Sequence, residues 1–415
     1  MRADVLGQVL VRAGAWAVLI ACILLQDRST VAEPRPVFWL ALAALALVVA
    51  QVVPLPPIIW QALPGRAILA QAVEGAPVPY RPLAIVPGAA INAASSLVVP
   101  FAVLFGMAGL RPHERRWIFV LILGLIVVSM LIGLVQFSGV DLRNPLLNGD
   151  ERQVSGLFAN RNHFALFMAM GCVMAPVWAF PPNHRSGWRL PVLLGLLALF
   201  LLMILATGSR AGLVLGGVGL VLGGMLVWPR MRRQLSRYPR WVLPLGGVLL
   251  MAGFVTTSVV AGRAASIDRL FAMDQAQDMR TRALPTVLGM IGTYFPVGSG
   301  FGGFDPIFRI HEPFELLKTT YFNHAHNDFL EIVLDGGLPA ALLLAGALAW
   351  WGYASFRALR LTPATPDDVP PLLGSALLLL LCIASLFDYP ARTPMMMAMI
   401  IIAAIWLAQP RKEGA

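Results

Sequence analysis

Successive apolar runs near 8–25, 37–54, 90–110, 117–137, 160–180, 189–207, 211–228, 241–260, 329–351, 371–387 and 394–408 constrain this chain more than any other feature. A helix needs about 20 mostly apolar residues to cross a bilayer, and every backbone polar group must be satisfied within the segment. Eleven such runs fix the fold class as all-α, a polytopic transmembrane helical bundle. Only 13% of residues are charged, against 58% hydrophobic. A soluble domain carries about twice that share of charge.

The formal net charge of +10 does not point to nucleic acid. The basic residues fall in short clusters between apolar runs, as membrane topology requires: 111–117, 184–189, 230–240, 357–360 and 411–412. All five alternate correctly with the runs and are expected on the cytoplasmic side. Eleven crossings would then leave the N-terminus outside, against the preference of Arg2 and Arg12. An additional crossing within the proline-rich stretch 55–89 would restore the parity, so 11 to 12 passes are expected. No signal peptide with a small-residue cleavage site is evident, so the first run is expected to be retained. Cys22, Cys172 and Cys382 each sit inside an apolar run and read as small packing residues rather than disulfide partners or metal ligands.

The longest polar interval, Asp278 to Pro339, then faces the other side, the periplasm in a Gram-negative cell. The expected division is transmembrane helices over 1–260, a large external loop with short helices over 261–328, and C-terminal transmembrane helices over 329–415. The loop holds Arg280, Arg282, the turn "PVGSGFGGF" and "NHAHNDFLE" with His324 and His326. Further arginines on the same side, Arg143, Arg152, Arg161, Arg210, Arg263 and Arg269, are not explained by topology. A guanidinium is a fixed fork of donors suited to phosphate, so several on one face point to an anionic substrate with a hydrophobic anchor. The plain alternative is snorkelling to headgroups or pairing with nearby carboxylates. Arg210 favours function, because an isolated charge between apolar runs is costly unless it faces a polar cavity.

The spacing His324-x-His326 suits a metal from a loop, but no third histidine or nearby cysteine completes a set. A general base suits it better, with Asp328 or Glu331 orienting one imidazole; a polar helix start capped by Asn327 or Asp328 is the bland alternative. "GSGFGGF" lacks the Lys-Ser/Thr of a phosphate loop and reads as a tight turn or a close backbone approach to a ligand. Ser155, Asn160, Arg161, Asn162 and His163 open a span, as helix caps or as sugar and phosphate donors. Asp388, Tyr389 and Arg392 in "FDYPAR" form a short external hairpin, as interfacial anchors or as part of the site.

In order, "SGLFANRNHFA", "TGSRAG", the arginines before "PVGSGFGGF", and "NHAHNDFLE…GGLP" resemble the O-antigen ligase and polymerase superfamily over roughly residues 90 to 408. Arg280 and Leu284 fit its R-x-x-x-L motif, and His326 and Gly337 its H-x10-G motif. The resemblance implies a metal-independent, cofactor-free, inverting glycosyltransferase of the bacterial inner membrane with its site facing the periplasm. Such enzymes move a glycan from undecaprenyl diphosphate to an acceptor hydroxyl, here lipid A-core. It implies His326 as base and Arg280 and Arg210 on the diphosphate, with Arg282 competing with Arg280. Arg161, His324, Asn327, Asn160 and Asp388 are expected to bind substrate. A polysaccharide polymerase or a protein O-oligosaccharyltransferase shares this chemistry. A lipid or glycan transporter is the non-enzyme alternative; it would carry charges or broken helices at mid-membrane.

Overall fold

The computed structural model describes residues 5–25, 35–71, 77, 79–139, 153–181, 187–234, 275–317, 322–360 and 369–409. Among them, the chain is a multi-pass helical membrane protein. Helices α1 (Val5–Leu25), α2 (Arg35–Ala50), α5 (Pro87–Ser96) with α6 (Val98–Gly109), α7 (Pro112–Phe137), α8 (Arg161–Ala179), α9 (Arg189–Ala206) and α10 (Arg210–Gln234) occupy the first seven expected runs. The eighth, at 241–260, lies outside the described residues, as do Arg143, Arg152, Arg263 and Arg269. The last three runs are α13 (Asp328–Arg360), α14 (Val369–Ser385) and α15 (Pro394–Ala408). Seven helices among the described residues are long and apolar enough to cross a bilayer, with three shorter apolar ones.

The additional crossing expected within 55–89 is absent from the described residues there. Strands β1 (Pro54–Leu55) and β2 (Arg81–Pro82) pair antiparallel around α3 (Pro57–Ala62) and α4 (Ala67–Gln71), both far too short to span. Prolines at 54, 56, 57, 64, 77, 79 and 82 remove the N–H groups a long helix needs.

Helix α8 is the axis of the bundle. Most of its side chains, from Phe164 to Ala175, have no exposed surface, and it packs against α7, α9, α10 and α14. The α10 approach is the closest. A Cβ at Gly219 or Gly223 would press on the carbonyl oxygens of Ala169 or Cys172, so the Gly-x-x-x-Gly spacing lets two backbones meet. The same contacts set direction: Gly212 lies against Ala165, Gly219 against Ala169 and Gly223 against Cys172. Helices α8 and α10 therefore run parallel and begin on one face.

Residues 275–317 and 322–327 contribute to a second, smaller core. Helix α11 (Gln275–Tyr294) buries Met279, Ala283, Val287 and Met290 against Phe304, Ile307 and Phe308 of α12 (Phe304–His311), with Leu316 and Leu334. The glycine turn joins this core to α13. Amides of Ser299 and Gly300 donate to the carbonyls of Leu334 and Asp335, each at 2.9 Å. The close backbone approach expected of this turn is thus made to the protein's own chain. Gly337 breaks α13 with φ 59° and ψ −147°, and a Cβ there would strike the Pro296 carbonyl. Asp328–Gly336 is consequently a short helical arm, and the apolar span starts at Leu338.

The stretch after α2 clamps the turn from outside. Gln51, 2% exposed, donates to the Asp335 carbonyl at 3.0 Å and accepts from the Phe301 amide at 2.9 Å. Arg66, fully buried, donates to the carbonyls of Pro64, Leu83 and Gly298.

Candidate active site

Four segments far apart in sequence meet where α8, α10 and α13 begin. Asn160 caps α8 through its Oδ1, which accepts from the Asn162 amide at 2.8 Å. Ser209 caps α10, accepting from the Gly212 amide at 2.9 Å, and Asn327 caps α13, accepting from the Leu330 amide at 3.1 Å. Each cap stabilises its helix by about 1 kcal/mol. Capping and site roles coincide here rather than compete: the Nδ2 of Asn327 donates to the Leu386 carbonyl at 3.1 Å, and that of Asn160 to Asp388 at 2.9 Å.

Asp388, in the turn between α14 and α15, is the centre of the cluster. It is 2% exposed. One oxygen accepts from Asn160 at 2.9 Å and Asn162 at 2.7 Å; the other meets His326 Nδ1 at 2.8 Å. Arg280 Nη2 lies 3.9 Å away and His163 Nε2 3.8 Å. Burial opposes ionisation of Asp388, but the His326 hydrogen bond and the charges of His163, His326 and Arg280 hold its carboxyl well below the usual range. A carboxylate only accepts, so the shared proton belongs to His326 Nδ1, leaving the Nε2 lone pair free. Burial pushes the His326 imidazole below its ordinary value, opposed by Asp388. Its backbone is unusual as well. His326 is the non-glycine residue with positive φ among those described, at 50°, a conformation costing about 1–3 kcal/mol that clusters at functional sites.

His324 forms a second pair. Its Nδ1 lies 2.8 Å from Glu331, whose other oxygen accepts from the Ala325 amide at 2.8 Å. Of the two carboxylates considered for orienting an imidazole, Glu331 does so, and Asp328 instead accepts from Ser385 and the Ala391 amide. The Tyr389 ring lies among the imidazoles, with centroids 4.1 Å from His324, 5.1 Å from His326 and 5.2 Å from His163. Burial raises its phenol above the ordinary value. Arg392, next in the same turn, reaches Glu331 at 3.2 Å, Asp335 at 3.2 Å and Asp328 at 3.6 Å. Burial would lower its guanidinium; these three carboxylates raise it above the usual value.

The two competing arginines part company. Arg280 donates to the Phe387 carbonyl at 3.0 Å beside Asp388, while Arg282 donates to the Glu315 carbonyl at 3.0 Å. Two residues along a helix are about 200° apart, so only one of them faces the cluster. Arg161 and Arg210 open α8 and α10 on the same face. Among the described residues, no group of three or more His, Cys, Asp or Glu side chains is arranged to hold a metal ion. Asn162, His163, Tyr389 and Arg392, which the sequence left open between caps or interfacial anchors and site residues, join the cluster; the runs N-x-N-H and D-Y-P-A-R, polar interruptions at span ends, were the available signal.

Residues 194–345 match a family model described as O-antigen ligase. That match supports membership in the O-antigen ligase superfamily. No curated protein matches it. The family supports a ligase- or polymerase-like membrane enzyme acting on glycans. The matched stretch holds Arg210, Arg280, Arg282, His324, His326 and Asn327. Asn160, Arg161 and Asp388 lie beyond it, joined to it through the contacts above.

Proposed function

We propose that this protein, as a member of the O-antigen ligase superfamily, transfers a glycan from undecaprenyl diphosphate to an acceptor hydroxyl, with lipid A-core as acceptor. The observation that carries the reading is the His326–Asp388 pair with Arg280 beside it, on a face where three helices start. Nε2 of His326 takes the acceptor proton as the hydroxyl oxygen attacks the anomeric carbon. The bond from that carbon to the diphosphate breaks, and its electron pair leaves on the phosphate. Attack from the opposite side inverts the anomeric centre. Arg280 and Arg210 meet the growing negative charge, and the positive ends of the α8, α10 and α13 dipoles add to them. No metal is required for that stabilisation. Arg161 and His324 contact substrate, whereas Asn160, Asn327 and Asp388 hold the groups that do. Arg282 plays no direct part.

The site is assigned to the periplasmic face of the inner membrane. Supporting this, the arginine clusters 111–116, 189, 230–233 and 357–360 sit at helix ends opposite the site: the starts of α7 and α9, the ends of α10 and α13. The test compares cells lacking the gene, complemented with wild type or His326→Ala. Loss of the lipopolysaccharide ladder with long glycan accumulating on undecaprenyl diphosphate, unrescued by His326→Ala, is the expected result. Collapse of both pools to a single repeat unit would make the enzyme a polymerase. No change in either would move the acceptor to protein or another polysaccharide.

A further inference from the structure

The carboxylate cage on α13 is an unusual thing to build beneath a substrate site. Asp328, Glu331 and Asp335 are 2%, 0% and 0% exposed, and they occupy one helix face at intervals of three and four residues. The Arg392 guanidinium bridges all three. An ion cluster of this kind is weak support for stability, since desolvation offsets most of the attraction. Its geometry instead points upward, to the histidine loop. Glu331 Oε1 receives both Arg392 Nη1 at 3.2 Å and His324 Nδ1 at 2.8 Å, while Oε2 receives the amide of Ala325, between the two histidines.

We propose that Arg392 is a positioning residue: acting through Glu331, it fixes the tautomer and ring plane of His324, so that the Nε2 lone pair meets a hydroxyl of the glycan. The proposal rests on the reading above, in which substrate lies against this loop. Glu331 paired with Arg392 is a carboxylate and can only accept, so the Nδ1 of His324 must carry the hydrogen. That leaves an acceptor nitrogen on a side chain still 27% exposed, while Glu331 beneath it is fully enclosed. A sugar hydroxyl is the donor that such a nitrogen fits. The Ala325 bond does the second part of the work. It anchors the peptide immediately before the left-handed turn at His326, so the two imidazoles keep a fixed spacing.

Without Arg392, three carboxylates on one helix face repel one another, and any that takes a proton becomes a donor. Glu331 in that state no longer dictates which His324 nitrogen is protonated. The side-chain chemistry of Arg392 matters as well as its charge, because a lysine ammonium is a point donor without a planar fork to span three acceptors.

The primary test does not use activity. Purified full-length protein carrying 15N-histidine is studied by solid-state NMR in lipid, with His324 identified by loss of its signals in His324→Gln. A single Nδ1–H tautomer is expected in wild type and a mixture in Arg392→Gln. An unchanged His324 signal in folded Arg392→Gln overturns the proposal. Should that variant fail to fold, Arg392→Gln with Asp335→Asn leaves the formal charge of the cage as it was and serves instead. The second test is a double-variant cycle with undecaprenyl-diphosphate-linked glycan and lipid A-core. Arg392→Gln and His324→Phe should each raise the KM for the undecaprenyl-diphosphate-linked glycan about tenfold, and the pair together should be no worse than about twofold beyond either. Additive losses would mean that Arg392 acts only on the fold. His326→Ala in the same assay separates the readings: if it retains transfer, the proposed function fails whatever Arg392 does.

Discussion

Asp388→Asn keeps the volume of the side chain and removes its charge, and the surroundings allow the amide no good orientation. With its oxygen toward His326 Nδ1, the new NH2 group faces the NH2 groups of Asn160 and Asn162, donor against donors. Flipped, it presents NH2 to Nδ1 and forces the His326 proton onto Nε2, where the base must be free. The missing charge adds to this. During transfer His326 becomes an imidazolium; its attraction to a carboxylate roughly 4 Å away, between charge centres, is about 4 kcal/mol at an effective dielectric of 20. Losing that alone slows transfer about 10³-fold. The assay is single-turnover transfer by purified protein, with thermal unfolding to confirm that the variant is folded. Transfer within about tenfold of wild type would refute the reasoning. The pH profile supplies a sign. A base must be neutral, so activity rises with pH through the His326 titration. Burial places that limb below the ordinary 6.5. Asp388 raises the His326 value, so the variant's limb should move further toward acid, and a move toward neutral pH would contradict the assignment.

Arg280→Ala should lower kcat/KM for the lipid-linked donor about 100-fold or more, whereas Arg282→Ala should stay within about threefold, read from donor titrations. Equal losses would show that the orientation seen at Phe387 does not decide the matter. Gly337→Ala places a Cβ against the Pro296 carbonyl at positive φ; a destabilisation of about 2–4 kcal/mol or failure to accumulate in the membrane is expected, measured by thermal unfolding and by quantitative blotting.

The spans were legible because the bilayer imposes a length and a polarity that a sequence displays directly. The stretch 55–89 misled for a different reason: the parity of the basic clusters called for one more crossing there, yet its prolines forbid the hydrogen bonds that a crossing needs. His326 and Arg280 stood out as polar groups in an exposed interval, and Gly337 as a glycine at a fixed distance. Asp388 was visible as a polar residue, but its task was not. Whether a carboxylate meets substrate or an imidazole depends on which helix ends share a face, and α8, α13 and the α14–α15 turn are brought together only by packing. Arg392 was harder still, since an arginine beside an apolar span reads as a headgroup anchor. Its three partners are spaced along one face of α13, and that periodicity was the signal.

On the proposed reading, the division of labour between the two carboxylates follows from their neighbours. Asp388 is ringed by neutral amides, with Arg280 and His163 farther off at 3.9 and 3.8 Å. Its charge therefore remains available to the imidazolium that forms when His326 takes a proton. Glu331 shares one oxygen between His324 and Arg392, so part of its charge is already answered by a permanent cation. It can orient an imidazole but stabilises a new positive charge on it less. Of two histidines two residues apart, each on a carboxylate at 2.8 Å, the base is then the one whose carboxylate has its arginine farther off, at 3.9 Å rather than 3.2 Å. That asymmetry makes His326 the group that moves a proton and His324 the group that holds a hydroxyl.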